Sequence, residues 1–165
     1  MNGFWLHLLH QALFGGIAAA GFGVLFNCPP KMLLECFGSG TLALAVRTIV
    51  QSIGLPLPEA AFFAALAVAI LERVLQHYQS TRGSILSVVG CIPMVPGSLA
   101  ADGLTNLWFS LLSVRPPDES LAVAHGMKSL LMVAFTLAAI GTAIAIPRLL
   151  YPRKIQDESE ETQAR

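Results

Sequence analysis

Residues 84 to 109, SILSVVGCIPMVPGSLAADGLTNLWF, are apolar enough to sit in a membrane, yet Pro93-Met94-Val95-Pro96-Gly97 falls near their middle. Each proline lacks an N–H and crowds the preceding turn, and Gly97 adds backbone freedom, so a straight helix is not expected to run through. In hydrocarbon, broken backbone survives only where protein buries it or where it lines a watery cavity. Two half-helices meeting at mid-membrane are a common way to build a transport site. A proline kink without a ligand is the plainer alternative. Two prolines three apart with a following glycine favour the full break.

The half after the break is unusually polar. Ser98, Asp102, Thr105 and Asn106 lie near one face at helical spacing. Asp102 stands out as an acid well inside an apolar stretch, which makes it a candidate proton or cation relay, unless it already reaches the far interface.

The remaining chain falls into further apolar blocks. Of 165 residues 55% are hydrophobic and only 12% charged, with mean hydropathy +0.66, whereas soluble domains carry about 25% charged residues. The expectation is an all-α integral membrane protein with about five transmembrane helices, the fourth broken at P-x-x-P-G. Residues 1–150 form the spanning domain and 151–165 a polar tail. Residues 4 to 26 make the first span, read as a span and not a cleaved signal because no Lys or Arg precedes it. Its Gly15, Gly16, Gly21 and Gly23, with Ala18 to Ala20, offer a small-residue packing face, and Asn27-Cys28-Pro29-Pro30 ends it. Residues 32 to 53 form a weaker second span, expected to be interrupted at Gly38, Ser39 and Gly40. Arg47 lies deep in it and must snorkel or face protein or water, since a charge at mid-bilayer costs roughly 2.5–3.5 kcal/mol. The third span, 60 to 75, is short and Ala-rich, with Glu72 and Arg73 marking its end, a polar loop over 77–83 and Tyr78 as an interface anchor. Arg115 to Glu119 is a loop, and residues 120 to 147 give the last span.

Little here suggests catalysis. His7, His10, His77 and His125 all sit near segment ends, and neither an H-E-x-x-H nor a paired-Asp motif occurs. Cys28, Cys36 and Cys91 form no C-x-x-C pair and no His stands at ligand spacing beside them, so no metal or other cofactor is expected. Zero net charge, with charges between the blocks, gives no sign of nucleic-acid binding; membrane lipid is the surrounding.

Five spans put the termini on opposite sides. With the N-terminus outside, Lys31, Arg73, Arg82, Arg148, Arg153 and Lys154 are cytoplasmic, against Arg115 and Lys128 outside. The positive-inside rule favours that arrangement, with the C-terminal tail in the cytoplasm. Five helices with one broken make a thin wall for a transport path, so a partner is expected, either a second copy or a related chain.

Several strings in order carry a family likeness: Gly21-Phe22-Gly23 with Leu25-Phe26-Asn27 and Pro29, then Gly38 and Gly40 before Arg47, then Pro93-Met94-Val95-Pro96-Gly97. Over about residues 12 to 150 the chain resembles the threonine/serine exporter family, and more narrowly its short, separately encoded subunit matching the C-terminal half. The resemblance implies a proton-driven secondary exporter of small hydroxy amino acids or similar small carboxylates in the bacterial inner membrane, with a larger partner subunit supplying the other half. It assigns no substrate ligand. The residues themselves nominate Pro93, Pro96, Gly97, Ser98, Asp102, Thr105, Asn106 and Arg47: a half-helix N-terminus suits a carboxylate, and freed carbonyls over Ile92 to Val95 suit an ammonium group. Hydroxyls at Ser98 and Thr105 suit a substrate hydroxyl, and Asp102 suits the coupling proton. Competing readings are a scaffold subunit, which leaves the polar half-helix without a purpose, a passive channel, and an intramembrane enzyme.

Overall fold

Backbone chemistry sets the helix ends. The computed structural model describes residues 2–79, 85–112 and 119–150. The first helix, α1 (Asn2–Leu25), stops at Asn27, whose φ of 56° is the left-handed conformation that asparagine tolerates better than most residues. The Asn27 N–H donates to the Val24 carbonyl at 3.0 Å and the Cys28 N–H to the Gly23 carbonyl at 2.9 Å, the paired bonds of a Schellman stop. Pro29 and a single 3-10 turn over Pro30–Met32 then lead into α2 (Leu33–Ser52). Gly54, at φ 97°, closes α2 through its N–H to the Gln51 carbonyl at 3.0 Å, and α3 (Leu57–Gln79) begins three residues after it with Pro58 in its first turn. A short α4 (Leu86–Cys91), a 3-10 turn (Ile92–Met94), α5 (Gly97–Leu111) and α6 (Glu119–Leu150) complete the described elements.

Three expectations are corrected. Gly38, Ser39 and Gly40 do not interrupt α2, which is helical throughout. Helical backbone satisfies its own polar groups, and glycine in a spanning helix serves close approach. A Cβ at Gly15 would lie 2.9 Å from the Gly40 carbonyl oxygen, so α1 and α2 touch backbone to backbone there. The last helix likewise runs past Pro147 to Leu150, because one lost bond in the last turn of a spanning helix is tolerable. α3 also continues to Gln79, into the expected loop. Residues 80–84, 113–118 and 151–165, with Arg82, Arg115, Arg153 and Lys154, lie outside the described residues, as does the side chain of Tyr78.

The alanine-rich face of α3 is the centre of the core. Ala61, Ala64, Ala65 and Val68 pack with Ala43 and Leu44 of α2, Cys91 of α4, Met94, and Ile140 and Ala143 of α6. α5 packs on α6 through a second small-residue crossing: a Cβ at Gly103 would stand 3.2 Å from the Gly126 carbonyl oxygen.

Among the described residues three helices are long and apolar enough to cross a membrane unaided, covering Gly3–Leu25, Pro30–Ser52 and Leu121–Leu150, and the bent pair Leu86–Met94 with Gly97–Leu111 makes a fourth if it is one span. α3, which carries Glu59, Glu72 and Arg73, is not among them. Its neighbours nevertheless place it across the same thickness. Leu57 at its start shares a groove with His125 and Lys128 near the start of α6, while Glu72 near its end pairs with Arg148 at the end of α6. α3 and α6 are therefore parallel, and the chain between them must cross from one end of the bundle to the other. The α4–α5 pair makes that crossing as a broken span, not as a re-entrant loop.

Candidate functional site

The break begins in the 3-10 turn, where Pro93 cannot donate a helical bond. Val95 turns extended (φ −62°, ψ 123°) with its N–H on the Ile92 carbonyl at 3.1 Å, and the Gly97 N–H returns to the Val95 carbonyl at 2.8 Å. Helix α5 then departs at 51° to the first half. Met94 and Pro96 are buried, Pro93 is half-buried, and Gly97 and Ser98 open to the outside of the chain. No side chain caps the N-terminus of α5, so the amides of its first turn keep their partial positive charge on offer.

Arg47 meets this break. Its Nη1 donates to the Met94 carbonyl at 3.4 Å, a long bond that holds the half-buried guanidinium of α2 against the turn. Interface snorkelling is not where the structure puts it. The carbonyls expected to be free are partly engaged: Ile92 accepts from Val95, Met94 from Arg47, and Val95 from Gly97.

On α5 the polar residues share a face. Ser98, Asp102 and Thr105 are exposed and Asn106 is half-buried. Asn106 Nδ2 donates to the Asp102 carbonyl at 2.9 Å, and Ser110 Oγ donates to the Asn106 carbonyl at 2.8 Å, so part of this polarity is absorbed along the helix itself. Gly103 and Leu107, on the opposite face, take up the contact with α6. The polar face thus points away from the rest of the described residues. Among the described residues Asp102 has no ion-pair partner.

Sequence reasoning missed two features. A groove of about 280 Å³ beside Leu99 is lined by Lys128, His125 and Ser129 with Leu57 and Met132, bringing a cation near the start of α5. Lys128 had the ordinary signal of an interface lysine. Among the described residues the buried acid is also not Asp102 but Glu72, only 3% exposed. Its sequence signal was a position near a span end, where acids are usually solvated. Among the described residues no group of three or more His, Cys, Asp or Glu stands close enough to hold a metal ion.

A family profile described as "Threonine/Serine exporter, ThrE" matches residues 11–150. An uncharacterized protein of Haemophilus influenzae is 33% identical over 152 residues, covering 92% of this chain and 50% of that protein. The chain therefore spans about half the length of the curated relative it matches. No solved structure matches.

Proposed function

The chain belongs to the threonine/serine exporter family, and we propose that it is the small subunit of a secondary exporter for threonine, serine or similar small carboxylates such as succinate. In this reading the proton gradient drives export across the bacterial inner membrane, and a larger family subunit supplies the second half of the path. The N-terminus lies outside and the C-terminus in the cytoplasm. Transport, not catalysis, is its role.

The observation that carries the reading is the outward polar face of α5 beside a broken backbone. Hydrocarbon penalises an exposed aspartate by about 2.5–3.5 kcal/mol near its centre, so Ser98, Asp102, Thr105 and Asn106 need a watery path or a partner surface. The uncapped α5 N-terminus and Arg47 suit a substrate carboxylate, with Pro93, Pro96 and Gly97 holding the turn open. Ser98 and Thr105 suit its hydroxyl, and Asp102 suits a proton in the path. The unmatched half of the Haemophilus influenzae relative is the room a second subunit would fill.

The test is export of labelled serine, threonine and succinate from preloaded cells holding neither subunit, this chain, the large family member, or both. Export only with both supports the split transporter and names its preferred substrate. Export by this chain alone supports a homo-oligomer instead. Flux that follows the substrate gradient without proton dependence identifies a passive channel. No export with both chains in the membrane leaves a scaffold subunit.

A further inference from the structure

We propose that Glu72 is a proton-binding site of the transporter, built where α3, α4 and α6 meet, and that its protonation state governs how tightly the half-helix α4 is held. The proposal deepens the exporter reading and rests on it for the coupling, though not for the binding of the proton.

The two carboxylate oxygens of Glu72 have unequal surroundings. Oε2 accepts a hydrogen bond from Ser87 Oγ and lies 3.6 Å from Arg148 Nη2. Oε1 is buried and, among the described residues, makes no hydrogen bond. A buried acceptor without a donor is costly, and a buried carboxylate needs both a counter-charge and hydrogen bonds to its remaining lone pairs. A proton on Oε1 removes the charge without displacing Ser87 from Oε2. The same carboxylate therefore has one position made for a proton and one already committed. The Arg148 side chain is 37% exposed against 4% for Glu72, so the way from water to the acid runs past Arg148.

Among the described residues few charges stand near the carboxylate. α6 contributes Arg148, and α4 contributes Ser87 and Cys91, the latter within electrostatic reach of the carboxylate. From α2 the ionisable groups are Glu35, Cys36 and Arg47; Cys36 sits in the apolar layer with Leu75 and Leu86, and Arg47 is turned to the break. On α3 itself Arg73 Nη1 donates to Gln76 Oε1 at 3.5 Å.

The mechanical consequence follows from α4. Ser87 is its second residue, and Met94 closes the turn after it, about 10 Å along at 1.5 Å per residue. One end is held by a hydrogen bond to an ionised carboxylate, the other by Arg47 on the Met94 carbonyl. Hydrogen bonds to charged groups are roughly twice as strong as neutral ones. Proton uptake at Oε1 loosens the first anchor and releases Arg148 from its ion pair, while release of the same proton to water restores both. The segment that shapes the substrate break is then sensitive to the proton at its far end.

Two readouts test this on the full chain. In lipid nanodiscs, acidification of the wild type should produce an infrared carboxylic-acid carbonyl band that shifts in Glu72→Asp and vanishes in Glu72→Gln, while Asp102→Asn leaves it in place. In cells with the large subunit, Glu72→Gln at normal membrane levels should keep substrate exchange but lose the effect of the proton gradient. A wild-type band set that Glu72→Gln or Glu72→Asp leaves unchanged overturns the proton site. Full proton dependence in Glu72→Gln overturns the coupling. If Glu72→Gln fails to accumulate, Glu72→Asp still decides the band. If the wild-type pair exports nothing, the exporter reading falls and the infrared result alone judges the site.

Discussion

Asp102 and Glu72 show how little a position in sequence says about an acid's surroundings. Asp102 lies inside an apolar segment and faces outward, whereas Glu72 lies near a helix end and is enclosed by three helices. Arg47 is the third charge of this set, resting on the Met94 carbonyl. Arg47→Met should leave the chain in the membrane but cut export with the partner to near background, as measured by labelled-substrate efflux. If export is unaffected, Arg47 only packs the turn. Asn27 offers a purely conformational test. Its left-handed φ of 56° makes Asn27→Val cost about 1–2 kcal/mol, whereas Asn27→Gly should be tolerated, as thermal unfolding in detergent would show.

At the scale of elements, small residues decide which helices touch. α1 meets α2 at Gly15 and Gly40, α4 meets Ser39 of α2 at Gly90, and α5 meets α6 at Gly103 and Gly126. Overpacking such a contact typically costs about 1–3 kcal/mol, so Gly103→Leu should lower the thermal midpoint and loosen α5 from α6. The two faces of α5 make different predictions. A cysteine at Thr105 should cross-link to the large subunit, because that face has no neighbour among the described residues. A cysteine at Leu107, packed against Gly126, should not. Equal cross-linking at both positions would remove the argument that the polar face meets the partner.

For the whole molecule, the parallel course of α3 and α6 fixes how the broken pair crosses. A reporter inserted between residues 79 and 86 and one fused after residue 150 should read the same side of the membrane. Opposite readings would mean that α4 and α5 form a re-entrant loop. The same reporters identify which side is cytoplasmic, and the excess of Lys and Arg around those positions predicts that it is this one.

Local chemistry that does not depend on neighbours was legible in the chain itself. Apolar blocks long enough to span gave the membrane class, and Pro93, Pro96 and Gly97 gave the break, because a missing N–H breaks a helix in any surroundings. The periodicity of α5 gave its polar face, because helical geometry alone sets which residues share a side. What required the tertiary structure was everything set by contact between distant segments. Gly38 and Gly40 looked like interruptions, yet they lie within an unbroken helix, and Gly40 meets Gly15 of α1. Glu72 only marked a span end until Ser87, 15 residues on, and Arg148 on the last helix came to it. Burial and ion pairing are properties of a packed arrangement, and a sequence states the partners of a buried charge only when they happen to be its neighbours.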